Sequence, residues 1–306
     1  MAVPVYPRPK INRQLCWFAA GTLVLYSVGV MVNRMLVLGA AAALGLAVAG
    51  GVTWREMSSV PAETAADDEL PVPPVPPRIA EGEEYDKCLS MLTGDPSGAF
   101  TFADTWQAAG GGDGATHCRA LAEIELGDPE EGAALLDQLG ATSGAAPAAR
   151  AAILGQAGQA WIMASSPRQA HDSATKALAL LPDDPDLLIY RAIADSSLEN
   201  YTEADDDLTR ALDIDPQRGD ALVLRAAARR HRELLELASD DVERALELNP
   251  DDPDALLERG ILRQRRGDPA GARRDWEKAV DLSPDSATGD LAQQNLALLE
   301  AGPERR

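Results

Sequence analysis

The residues of this 306-residue chain with the widest chemical repertoire are three histidines, His117, His171 and His231, and three cysteines, Cys16, Cys88 and Cys118. A zinc site needs such residues at short, repeated spacings. None is present: no Cys-x-x-Cys occurs, and the histidines have no ligand spacing with each other or with the cysteines. His117 precedes Cys118, an arrangement that could activate a thiol, but an exposed histidine beside a disulfide cysteine is the simpler expectation. His171-Asp172 reads as a helix-surface pair rather than part of a triad. The glycines Gly110–Gly112 follow no strand, so they read as a helix connection and not as a phosphate loop. No catalytic, cofactor-binding or metal-ligating residues are assigned, and the chain is expected not to be an enzyme. A thiol-dependent enzyme is the distant alternative.

The elements that carry these residues are helical by composition. Aromatic residues make up only 4% of the chain, while Ala and Leu dominate. Both lose little on entering a helix, whereas a β-sandwich would draw on Val, Ile, Thr and aromatics. Formal net charge is −21. The first 49 residues hold four basic and no acidic residues, which leaves 24 basic against 49 acidic, a net −25, in the remainder. A body this acidic repels nucleic acid and anionic headgroups, so neither is expected as a partner.

Two uncharged, mostly apolar runs, 14–33 and 35–53, are separated only by Arg34. Each is about long enough to span a bilayer. They could form a tight membrane hairpin that returns the body to the cytoplasm. Translation could instead start at Met31 or Met35. Arg34, the apolar stretch 35–46 and the Ala47-Val48-Ala49 cleavage pattern would then compose a secretory signal. The second reading is preferred, because a two-residue turn containing Arg is poor at membrane depth. An uncleaved anchor also places the body outside. Processing would remove Cys16 and leave an even pair, Cys88 and Cys118, suited to a disulfide in an oxidising compartment. Two buried free thiols in a cytosolic chain are the alternative. Residues 56–80 are acidic and then proline-rich, as in an extended spacer.

A 34-residue period follows. Pro182, Pro216, Pro250 and Pro284 recur at that step, as do Leu154, Leu188, Leu222 and Leu256. Gly158, Ala192, Ala226 and Gly260 share it, with Ala170/Ala204/Ala238/Ala272, Ala177/Ala211/Ala245/Ala279 and Leu178/Leu212/Leu246/Val280. Asp184-Pro185 and Asp252-Pro253 have the form of helix starts, as do Asp95-Pro96, Asp128-Pro129 and Asp268-Pro269. The pattern resembles the tetratricopeptide repeat family, in its bacterial envelope type. Trp161 and Trp276 fill two of its large aromatic places, and Leu208 and Val242 stand at others. The resemblance implies an all-α, right-handed superhelical solenoid of about six helix pairs and a C-terminal capping helix. An apolar segment (1–55) and linker (56–80) would precede two degenerate units (81–150). Four repeats would follow, at 151–184, 185–218, 219–252 and 253–286, with the cap and tail at 287–306. The two degenerate units would be parted by a loop at Gly110–Gly114, and the cap would turn Leu291, Leu296 and Leu299 toward the stack.

The resemblance also implies where a ligand sits. The first helix of each pair would line a concave groove presenting Ile189, Tyr190, Ile193, Val223, Leu224, Ala227, His231, Leu257, Ile261 and Gln264, with Arg230 and Arg265 near one edge. Some of the small residues could be core between neighbouring helices. Lys, Asn and Arg, which clamp a peptide carboxylate in some family members, are absent from the comparable places. Arg191, Arg225 and Arg259, each 34 apart, would face Asp207, Asp241 and Asp275 as an ion-pair ladder. Cys88 and Cys118 would lie on successive first helices, within reach of a disulfide. The expected function is a non-enzymatic protein-interaction scaffold of the cell envelope, periplasmic or extracytoplasmic. It would bind an unidentified protein or peptide, need no cofactor, and touch membrane only through its N-terminal segment. The alternative is a membrane-tethered assembly factor with a cytoplasmic body.

Overall fold

Proline starts helices here because its ring presets the helical φ and its missing N–H is not needed in the first turn. In a computed structural model of the chain, which describes residues 77–302, helices begin at Pro96, Pro129, Pro185, Pro253 and Pro269. Asp95, Asp184, Asp252 and Asp268 cap four of these by accepting backbone N–H groups of the first turn. The apolar segment 1–55 and nearly all of the linker lie outside the described residues.

Thirteen α-helices and no strand make up the described residues: α1 (Glu83–Met91), α2 (Pro96–Ala108), α3 (Gly112–Leu126), α4 (Pro129–Thr142), α5 (Pro147–Met163), α6 (Pro167–Leu180), α7 (Pro185–Ser197), α8 (Tyr201–Ile214), α9 (Gly219–His231), α10 (Leu235–Leu248), α11 (Pro253–Arg265), α12 (Pro269–Leu282) and α13 (Ala287–Ala301). They form six hairpins, each a helix A (odd-numbered) followed by a helix B (even-numbered), and α13 is an unpaired A helix. The A helices α7, α9 and α11 start at 185, 219 and 253, in 34-residue steps. Helix α5 starts at Pro147, ahead of the period, because a proline stands there as well. The Gly110–Gly114 loop is shorter than expected: α3 takes in Gly112 and Gly114, and the turn is made by Gly110 at φ 95°.

The turn from A to B is periodic too. Ser165, Glu199, Glu233 and Gly267 all have positive φ, at 55°, 64°, 61° and 81°. They stand 34 apart, so every regular unit reverses its chain through one left-handed residue.

Stacking, rather than any one hairpin, makes the core. One apolar cluster runs without a break from Ala151 to Ala292 and contains Leu154, Leu188, Leu222 and Leu256. The small residues set how closely A and B approach. At Gly260 a Cβ would lie 2.3 Å from Trp276 Nε1, so only glycine fits against that ring. Successive A helices touch one another from α5 through α13, while among the described residues successive B helices make no comparable contact. The A helices therefore lie on the inside of the curve. On α13 the residues turned to the stack are Ala292, Leu296 and Leu299. Leu291, expected among them, is 50% exposed. No helix among the described residues is long and apolar enough to cross a membrane.

Candidate protein-interaction face

The inner face is built by the outward side of α7, α9, α11 and α13. Tyr190, Ile193, Val223, Leu224, Leu257 and Ile261 are half-buried there, resting on the core with one side free. Ala227 is half-buried, and Gln264 and His231 are exposed. The His231 ring stacks on Tyr201, 4.3 Å between centroids. Ile189 does not belong to the surface. It is buried within the continuous apolar cluster, so it supports the face without reaching a ligand. Leu291 corrects the count in the other direction. It continues the 34-residue series Ile189, Val223, Leu257 onto α13, and with Leu298 (62% exposed) it extends the apolar row to the end of the stack. That step of 34 was the signal that could have found it.

Arg230 and Arg265 stand at one edge of the face. Arg230 holds the buried carboxylate of Glu258 at 2.5 Å, and Arg265 holds Glu233 at 2.7 Å. Burial raises the Glu258 carboxyl above its usual range, and Arg230 works against that rise.

The seam between A and B is charged. Arg191 meets Asp207 at 2.6 Å, Arg225 meets Asp241 at 2.7 Å and Arg259 meets Asp275 at 2.8 Å. Each guanidinium donates two bonds to its carboxylate. All three aspartates are buried. Arg229 and Arg263, one turn further along α9 and α11, donate to the same Asp241 and Asp275. In the preceding unit the ladder places are Ala157 and Ser173, and Ser173 donates to Asp137 instead.

At the N-terminal end, Cys88 on α1 and Cys118 on α3 are brought together, both fully buried, with Cα atoms 6.2 Å apart and sulfurs in bonding contact. That spacing lies inside the range a disulfide requires. His117 is not the exposed residue the sequence suggested. It is buried because α1 covers it, and it joins three A helices. Tyr85 on α1 donates from its hydroxyl to His117 Nδ1 at 2.5 Å, and His117 Nε2 donates to Gln156 Oε1 on α5 at 2.7 Å. Since Gln156 Oε1 only accepts, the imidazole carries its proton on Nε2. Burial lowers the His117 pKa to about 4. Burial also raises Tyr85 to about 12, so the phenol stays a donor. His171, on α6, lies 3.5 Å from Asp172 and 3.9 Å from Asp195 on α7.

A family model described as tetratricopeptide repeat matches residues 224–297, which span most of α9 to α13. The chain is a tetratricopeptide repeat protein. No curated protein matches its sequence significantly. Among solved structures, the tetratricopeptide solenoid is similar to TTC0263, a thermophilic protein of this fold in Thermus thermophilus. The TM-score is 0.50 at 15% identity, over 61% of this chain and 100% of that one. It is also similar to a chain of the APC/C hetero-tetramer Cut9-Hcn1, with TM-score 0.54 at 15% identity over 70% of this chain and 42% of that one. MamA gives TM-score 0.46 at 17% identity, over 54% of this chain and 94% of that one. At such identities the likeness is one of fold. The tetratricopeptide fold is that of a protein–protein interaction scaffold, and no group of three His, Cys, Asp or Glu among the described residues could hold a metal ion.

Proposed function

We propose that this tetratricopeptide protein is a non-enzymatic scaffold of the cell envelope that holds a protein or peptide against the inner face of its A helices. The observation that carries the reading is the uncovered apolar row along that face, through Val223, Leu257 and Ile261 to Leu291 and Leu298. Contiguous exposed apolar surface is uncommon on a soluble body and marks interaction sites. The extracytoplasmic placement rests on the apolar N-terminal run behind basic residues and on the pairing of Cys88 with Cys118, which suits an oxidising space.

Two measurements test it. Proteins captured from envelope extracts by the full chain should be lost when Leu257→Lys and Leu291→Lys are combined, with helical content and melting unchanged. Capture that survives both substitutions would remove the groove from the proposal. A reporter enzyme active only after export, fused after Pro77, should be active. A silent fusion at normal expression would place the body in the cytoplasm.

A further inference from the structure

The charged seam is built differently in one unit. Arg229 and Arg263 occupy equivalent places, 34 residues apart, on α9 and α11. Each puts its guanidinium 2.7 Å from the buried aspartate of its own unit, Asp241 or Asp275. Arg229 also reaches Asp205 on the preceding B helix at 2.9 Å. One unit earlier, on α7, the same place holds Asp195. Among the described residues, Asp207 there receives a guanidinium from Arg191 alone. In place of the second guanidinium is an open notch of about 240 Å³, lined by His171, Arg191, Asp195, Glu203, Asp206 and Asp207.

Four carboxylates share this notch with one arginine and one histidine. Asp195 is only 3% exposed, yet just one of its oxygens is engaged among the described residues. Oδ1 accepts from Asn200 Nδ2 at 3.1 Å, with His171 Nε2 at 3.9 Å from the same atom. Oδ2 has no hydrogen-bond partner among the described residues. Oδ2 is not enclosed by the protein, so on this otherwise buried residue it is the acceptor left open to a ligand in the notch. Burial holds the Asp195 carboxyl above its ordinary range; Asn200 and His171 offset part of that, and the charge of Asp207 adds to it. Glu203 and Asp206 are exposed and frame the mouth, so the notch is reachable from solvent.

We propose that this notch binds a guanidinium group, presented as an arginine side chain by a protein partner. The chain itself supplies the precedent: where a guanidinium is present at this place, as in Arg229 and Arg263, it bonds the ladder aspartate. A planar guanidinium fork, with several donors, suits a notch lined by two carboxylates, Asp195 and Asp207, better than a compact ammonium does. The proposal rests on the scaffold reading, since it needs a partner, but its site is separate from the inner face.

The test uses the full chain and the imidazole NMR signals of its three histidines, assigned by single substitution. The probes are the capped tripeptide Gly-Arg-Gly, its neutral citrulline analogue, its lysine analogue, and guanidinium chloride at the same concentration. The arginine peptide should shift the His171 ring in a saturable way, the lysine peptide less so, and the citrulline peptide not at all. Asp195→Asn should weaken the response about tenfold or more, as expected on loss of a charge-assisted pair. Asp195→Arg should fill the notch from within and abolish the response. Should Asp195→Asn fail to fold, the exposed Asp206→Asn should still weaken binding with melting unchanged. Equal response to arginine and citrulline, no shift at His171, or an unaltered response in Asp206→Asn would overturn the proposal. Guanidinium ion acting as strongly as the peptide would make this a small-cation site and overturn the partner arginine. His231 lies on the inner face, so its signal and the capture experiment report the scaffold reading independently.

Discussion

Replacing Gly260 by alanine adds a single methyl, and the fold gives it no room. The new Cβ would stand 2.3 Å from Trp276 Nε1 and 2.6 Å from Cδ1, and the indole is fully buried. The same Nε1 donates to the Leu257 carbonyl at 3.1 Å, so a displaced ring also loses that bond. Overpacking of a core costs about 1–3 kcal/mol. Stranding the buried N–H costs about 1–3 kcal/mol more. Alanine recovers about 1 kcal/mol of helix propensity. The expected net loss is about 1–5 kcal/mol, from the larger two terms less the third. Gly158 occupies the equivalent place, 102 residues earlier, opposite Ala174 rather than tryptophan. There the nearest heavy atom to an added Cβ is 3.5 Å away, so Gly158→Ala should be neutral or stabilise by up to about 1 kcal/mol. Urea unfolding followed by circular dichroism separates the two. Since a repeat array need not unfold in two states, midpoints of the C-terminal transition are compared rather than one global free energy. Adding Trp276→Leu to Gly260→Ala recreates the Ala192 and Leu208 combination of α7 and α8 and should restore much of the loss. Equal midpoints for both alanine variants, or no rescue, would refute the steric argument.

Three further outcomes are expected. Arg225→Ala should cost about 2 kcal/mol or more, above the roughly 1 kcal/mol ceiling of an exposed pair, because Asp241 is left buried with Arg229 as its remaining close partner; thermal melts against an exposed control, Arg210→Ala, check this. His117 titrates near 6.5 in the unfolded chain and near 4 when folded, so stability should fall by about 3 kcal/mol as pH drops from 6.5 to 4 and be indifferent to this group above 6.5. That slope should shrink in His117→Gln, measured by unfolding at stepped pH. Non-reduced peptide mapping should recover Cys88 joined to Cys118, and breaking this 30-residue link should lower stability by about 3–4 kcal/mol; free thiols at both positions in protein from its native compartment would contradict it.

Much of this architecture was written in local chemistry. Asp-Pro pairs marked five helix starts, because cap and first-turn proline act within four residues. The 34-residue steps located the seam that pairs Arg225 with Asp241, since residues on the same helix faces recur in the same register. What was not legible depended on neighbours distant in sequence. The burial of His117 follows from α1 lying over it, and its partner Gln156 is 39 residues away. Ile189 and Leu291 occupy the same place in the period, yet one is buried and the other half exposed, because only α13 ends the stack. The left-handed turn at Glu199 and Glu233 gave no sign in residue type, since glutamate is not the usual occupant of positive φ. The notch beside Asp195 was hidden for another reason: it is visible only as a difference between units that otherwise look alike.

The charged seam has a bearing on the order of the units. At one place in the period, two B helices offer different side chains to the A helix that follows: α6 offers His171 to Asp195, and α8 offers Asp205 to Arg229. Transposing units 185–218 and 219–252 would bring His171 beside Arg229 and leave Asp205 with a different neighbour. Duplicating 185–218 would set Asp205 against a second copy of Asp195, two carboxylates in a buried place. Stacks of identical units tolerate such edits, because every joint accepts every unit. This one is keyed: its joints distinguish left neighbour from right, and its sequence of units behaves as a sentence with word order, not as a count.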